Sequence, residues 1–216
     1  PRDGHLERLK RLYGYLKSYP DGCTRFRTGI PNHEKFGIPT KESWQETVYG
    51  DTPEELPPEM PDPKGKPMII TFYQDANLQH CLMTGRSMTG YIGFVNRTPI
   101  ASFSKKQNVV ETATYGSEFM SARITTEAII DLRYSMRMMG MPLGGPAWMF
   151  GDNKSVVTSS TIPYSRLNKS STSLSYHLVR SNIAAKALYY MHINGKDNPS
   201  DVCTKFLSRT KAWPLI

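Results

Sequence analysis

Hydrophobic and polar positions fall into two regimes separated by a run of prolines. From His5 to Tyr19, Leu6, Leu9, Leu12 or Tyr13, and Leu16 recur at helical spacing with Glu7, Arg8, Lys10, Arg11 and Lys17 between them. This predicts an amphipathic helix that Pro20-Asp21-Gly22 ends. Cys23 to Thr28 alternates and predicts one strand, while Gly29 to Gly50 shows no clear period. Six prolines then lie between Asp51 and Pro67, too dense for a helix or a central strand. They predict an extended tether and a division of the chain into residues 1–60 and 61–216.

Beyond the prolines the pattern is regular. Met68–Asp75, Met88–Asn96 and Pro99–Ser104 read as three strands, the last two joined by a short Asn96-Arg97-Thr98 turn. From Thr114 to Met139, Met120, Ile124, Ala128, Leu132, Met136 and Met139 recur at helical spacing, widened by Phe119, Ala122, Ile129 and Ile130. So broad an apolar face implies a helix laid on a sheet, stopped by Gly140 and Pro142. A fourth strand follows at Ala147–Asp152, then helices over Asn153–Ser160 and Leu174–Ala187. A fifth strand at Ala187–Ile193 and a closing helix at Pro199–Leu207 complete the order βββ-α-β-α-α-β-α. The fold class is α/β: a mixed five-stranded sheet flanked by helices, with an N-terminal helical and irregular extension.

Composition narrows the partners. Residues 1–60 carry nine Lys and Arg against ten Asp and Glu, whereas residues 61–216 carry eighteen against nine, so the basic excess belongs to the second part. That balance suits a polyanion, although a solubilising surface explains it equally well. Cys23, Cys81 and Cys203 are scattered, which argues against a disulfide framework or a zinc site. No apolar run approaches the roughly 20 residues that span a bilayer, so no membrane partner is expected. There is no secretory leader and no initial Met, which reads as a segment of a longer, non-secreted chain.

The candidate chemistry lies in four acids. Taken singly, Asp75 reads as a turn residue, Asp152 as an N-cap, and Glu118 and Asp201 as first-turn acids favoured by a helix dipole. Taken together they point elsewhere. In a sheet of this order the first and fourth strands are neighbours, which brings Asp75 and Asp152 to adjacent carboxyl ends at the point where the winding reverses. Glu118 reaches the same corner from the crossover helix, and Asp201 from the closing helix. Four like charges at one corner require a cation. Oxygen ligands without His or Cys suit Mg²⁺ or Mn²⁺, and a pair of such ions fits in-line displacement at phosphorus.

At these residues the chain resembles the ribonuclease H domain of copia-type LTR retrotransposon reverse transcriptases. The blocks occur in order: Tyr73-Gln74-Asp75-Ala76-Asn77; Thr84 to Tyr91; Ser104-Lys105-Lys106-Gln107 with Thr114 to Phe119; Gly151-Asp152-Asn153-Lys154-Ser155; Ser175 to Arg180; and Asn198 to Lys205. Residues 5–17 resemble the end of the polymerase portion of the same polyproteins. The resemblance implies an RNase H-like fold and two-metal hydrolysis of the RNA strand of RNA–DNA hybrids, with Asp75, Glu118, Asp152 and Asp201 as the metal-binding acids. It further implies the polymerase domain of the polyprotein as a partner, and an intracellular location in cytoplasm or a virus-like particle. The alternative is a hybrid-gripping module of the same fold without catalysis; a strand transferase fits less well, because its last acid usually lies on a long helix. Many relatives carry a His in the loop before the last acid. Here Asn194–Asn198 has none, and His192 is expected on the preceding strand without that role. Arg166, Lys169, His177 and Arg180 are candidate phosphate contacts, with a solvated helix face as the competing explanation.

Overall fold

The computed structural model describes residues 3–37, 39, 42–167, 170–212 and 215. The five strands predicted beyond the prolines form one sheet: β1 (Ile70–Cys81), β2 (Arg86–Val95), β3 (Thr98–Lys106), β4 (Ala147–Gly151) and β5 (Leu188–His192), in the order β3-β2-β1-β4-β5. β1, β2 and β3 pair antiparallel, whereas β4 pairs parallel with β1 and with β5. The helices are α1 (Asp3–Ser18), α2 (Thr114–Met138), α3 (Lys154–Thr161), α4 (Ser173–Ala184), α5 (Asp201–Thr204) and α6 (Arg209–Ala212). No helix of the described residues is long and apolar enough to cross a membrane.

The core lies between the sheet and α2, α3 and α4. Ile70, Phe72, Met149, Leu188 and Tyr190 supply its sheet side, with Phe119, Ala122, Ile129, Met136, Val156 and Val179 above them. Phe72 lies against Gly93 of β2, where a Cβ would stand 2.4 Å from the ring, so this strand crossing needs glycine. The buried stripe of α2 is rotated from the expected one. Phe119, Ala122, Ile129 and Met136 face inward with Ser117, Ser121, Thr125 and Thr126, while Met139 is 64% exposed. Small hydroxyl residues allow the helix to approach the sheet closely, and Thr126 satisfies its own hydroxyl by donating to Ala122 O at 2.8 Å.

The N-terminal extension packs against the domain from residue 27 onward. No strand forms at Cys23–Thr28. The Thr98 hydroxyl instead takes the Arg27 N–H at 2.7 Å and donates to Arg27 O, so one side chain replaces a ladder of backbone bonds. On the sheet face away from α2, His33 Nε2 lies 2.9 Å from the Thr71 hydroxyl, and the Phe36 ring lies 4.5 Å from that of Phe150. Trp44 is buried and stacks on the guanidinium of Arg180 in α4. Leu6, Leu9, Leu12 and Leu16 of α1 remain exposed.

The proline-rich stretch forms neither helix nor strand and turns at Pro58 and Glu59, and it is held to α2 by an ion pair. Arg133 of α2 is buried and forks onto Glu54 through Nε–Oε1 at 2.8 Å and Nη2–Oε2 at 2.6 Å, with Arg137 Nη2 adding a bond at 2.7 Å. Burial pushes the Glu54 carboxyl up, but the two guanidinium groups outweigh it and hold the group below its ordinary value. A depressed carboxyl contributes stability above its unfolded value, which is lost as pH falls through the folded one. Glu54→Gln is therefore expected to lower Tm at pH 7, because Arg133 is left buried without a counter-charge, at a cost of about 3 kcal/mol. The Tm difference from wild type should shrink below pH 4, and thermal melts across pH 3–7 measure both effects.

Candidate metal centre

β1 does not end at Asp75 as expected but runs on to Cys81, because β2 continues to pair with it. Asp75 therefore stands mid-strand, level with the end of β4, and the first carboxylates of the site meet there. Asp75 is 1% exposed. Its carbonyl accepts from the Ser121 hydroxyl of α2 at 2.8 Å, its Oδ2 takes a short hydrogen bond from the Thr204 hydroxyl, and Lys205 Nζ lies 3.4 Å from Oδ1. Glu118, in the first turns of α2, is 3% exposed, and its Oε2 has no hydrogen-bond partner. Asp152 follows β4 directly. Ligand oxygens of Asp75, Glu118 and Asp152 all lie within 4.8 Å of one another.

The modest explanation of Asp152 does not hold, because Asn153 is the N-cap of α3: its side chain accepts from Val156 N at 3.2 Å. The Asp152 carboxylate is thereby left facing the site. Gly195 closes on it from the β5–α5 loop, where a Cβ would stand 3.1 Å from Oδ2. His192 ends β5, as expected from the sequence, and its Nε2 donates to the Asp152 carbonyl at 3.1 Å.

Asp201 enters from α5, which is shorter than the predicted helix because Lys205 takes extended backbone. The helix presses onto β2 at Gly90, the register partner of Asp75, where a Cβ would stand 2.6 Å from Cys203 Cβ and from Thr204 Cγ2. Asn198, fully buried, fixes the approach by donating to Gln74 O at 3.0 Å and accepting from the Ser200 hydroxyl at 2.6 Å. Asp201 is outside the three-carboxylate cluster and is joined to it through Lys205, whose Nζ lies 2.7 Å from Asp201 Oδ1.

Electrostatics follow from this crowding. Burial first, then the charges of Asp75 and Asp152, push Glu118 well above its ordinary value. Burial and Asp75 likewise raise Asp152, and burial raises Asp201 against the opposing pull of Lys205. Burial lowers the Lys205 ammonium, but Asp201, Asp75 and Asp152 together outweigh it and raise it. Lys205 and Thr204 were legible only as part of a motif block; the four-residue spacing of Asp201 and Lys205 was the available signal. A hard, all-oxygen donor set containing a buried, unpartnered Glu118 oxygen fits a divalent cation such as Mg²⁺ or Mn²⁺.

The expected phosphate contacts separate. Arg166 is exposed, and Lys169 lies outside the described residues. His177 is exposed, with Nδ1 2.7 Å from the Tyr49 hydroxyl. Arg180 does not belong with them. It is 2% exposed and donates to the carbonyls of Ser159, Ile162 and Pro163 at 2.5–2.7 Å, with Trp44, Tyr49 and Tyr176 around its guanidinium. Its Nη donors face the end of α3 and its Nε donates to the Tyr49 hydroxyl at 3.3 Å, so none points to solvent.

The chain is 26% identical, over 97% of its length, to the retrovirus-related Pol polyprotein from transposon RE1 of Arabidopsis thaliana. It is 25% identical, over 68% of its length, to the corresponding polyprotein from transposon TNT 1-94 of Nicotiana tabacum. It spans only 12% and 11% of those two proteins. The resemblance read from the motif blocks is thus borne out: the relatives are Pol polyproteins of plant transposons. Among solved structures it is similar to LC11-RNase H1, isolated from compost, with 15% identity, a TM-score of 0.48 and coverage of 63% of this chain and 92% of that one. No family model matches.

Proposed function

We propose that this chain is the ribonuclease H portion of a retrotransposon polyprotein and hydrolyses the RNA strand of RNA–DNA hybrids. The observation that carries this reading is the meeting of Asp75, Glu118 and Asp152 within 4.8 Å where β4 ends beside the middle of β1. The sequence relation to Pol polyproteins supports the same reading.

Asp75, Glu118 and Asp152 would hold two Mg²⁺ or Mn²⁺ ions, with Asp201 completing the set. Bound there, the ions would supply charge stabilisation at the phosphate and an activated water for in-line displacement. The protein's part is to hold its acids in place. Ser121 and Thr204 fix Asp75 from two elements, and Asn198 and Gly90 let α5 deliver Asp201. Lys205 tempers the repulsion among the acids. Water adds to phosphorus as the bond to the 3′ oxygen breaks; the departing oxygen takes a proton, leaving 3′-hydroxyl and 5′-phosphate ends. Residues 1–60 connect this domain to the polymerase of the same polyprotein, and the site of action is intracellular.

The test is cleavage of an end-labelled RNA–DNA hybrid in Mg²⁺ or Mn²⁺, beside duplex DNA of the same sequence. Cutting of the RNA strand alone is expected, and EDTA should stop it. Binding of the hybrid without cutting in either metal would establish the non-catalytic alternative instead.

A further inference from the structure

Phe206 follows Lys205 directly, yet its side chain is turned to solvent and is 90% exposed. Its ring is stacked on His80 near the end of β1, with centroids 5.4 Å apart and planes 28° from parallel. The pair is anchored to the site from below. Asn77 Nδ2 lies 3.1 Å from His80 Nδ1 and donates to Thr204 O at 3.1 Å. The same strand carries Asp75, and the same short helix carries Asp201 and Thr204. Exposed cations stand at the next residue along β1: Arg86 is the register partner of Cys81, and Lys106 Nζ lies 3.4 Å from Cys81 Sγ.

An exposed ring beside basic side chains is how proteins hold single-stranded nucleic acid, since every base offers a stacking face and every nucleotide a phosphate. A base paired inside a duplex has both faces covered by its neighbours; an unpaired base leaves one free. We propose that Phe206, backed by His80, stacks an unpaired base of the substrate's single-stranded flank while Arg86 and Lys106 meet its phosphates. The chain would therefore favour hybrids that carry such a flank over blunt ones. This rests on the ribonuclease reading and adds to it a substrate preference set by residues that hold no metal.

The experiment uses the full chain and short RNA–DNA hybrids, blunt or extended by a few unpaired nucleotides that include 2-aminopurine. Ca²⁺ is the only divalent ion, so that binding is read without turnover. Wild type is expected to bind the extended hybrid about tenfold more tightly than the blunt one. It should also quench the 2-aminopurine fluorescence. Phe206→Ala should bind both hybrids alike without quenching, Phe206→Trp should restore preference and quench, and Phe206→Leu should restore neither. An unchanged Tm shows that the variants fold. The proposal is overturned if Phe206→Ala keeps the preference, if Leu serves as well as Trp, or if wild type shows no preference. A wild type that shows the preference and quench in Ca²⁺ yet cuts no hybrid in Mg²⁺ or Mn²⁺ would refute the nuclease reading and leave this platform standing.

Discussion

Asp152→Asn is expected to lower hybrid cleavage by more than roughly a thousandfold, since it removes one anionic oxygen donor from the cluster that would hold the ions. The substitution keeps the shape of the side chain and leaves the Asn153 cap of α3 untouched. Folding should therefore survive. In EDTA, Tm should stay within about 3 °C of wild type or rise, because one of several mutually repelling charges is gone. Adding Mg²⁺ or Mn²⁺ should raise Tm for wild type through binding to the folded state alone, and by much less for the variant. Cleavage of labelled hybrid and melts with and without metal measure the two halves. Full activity in this variant would refute the assignment of the site. Loss of activity with a collapsed Tm would instead show that Asp152 is needed for the fold.

Arg180→Ala is expected to have the largest effect on stability. The guanidinium caps the end of α3 by donating to three carbonyls and fills the space between Trp44, Tyr49 and Tyr176. Its removal leaves carbonyls without donors and a cavity among rings, together about 4 kcal/mol. For a chain of 216 residues that corresponds to a fall in Tm on the order of 10 °C. Arg180→Lys should recover little, because an ammonium cannot reproduce the planar fork or its stacking. Hybrid affinity measured where both proteins are folded should show an unchanged salt slope for Arg180→Ala, which removes the charge. Arg166→Ala, which removes an exposed cation, should reduce that slope by about one if Arg166 meets a phosphate. A reduced slope for Arg180→Ala would return Arg180 to the binding surface.

Arg180 also marks where sequence reasoning reaches its limit. An arginine in a helix between polar residues has the same sequence signature whether it faces solvent or the body of the protein. Here α4 points it inward because the carbonyls at the end of α3, contributed from some twenty positions upstream, and Trp44 from the extension converge on one spot. The α2 stripe was met only in part, at Phe119, Ala122, Ile129 and Met136, for a related reason. Met120, Ile124 and Met139 carry the stronger hydrophobic signal, but close contact with β1 favours the smaller Ser121 and Thr125 on the inner face.

Beyond the prolines the sequence by itself determined the main elements and their order, since the alternation of β1 to β3 and the long helical period of α2 are local properties of neighbouring residues. It also determined which acids to suspect, because Asp152 follows a strand, Glu118 and Asp201 lie at helix starts, and Asp75 closes an apolar run, although that run proved to continue as strand to Cys81. Tertiary structure alone decided that Asp75, Glu118 and Asp152 meet while Asp201 is reached through Lys205. It alone decided that Glu54 holds the proline-rich stretch to α2 and that Arg180 faces inward. Those outcomes depend on how far apart elements lie once packed and on which polar groups burial leaves without water. Neither quantity is carried by the spacing of residues along a chain.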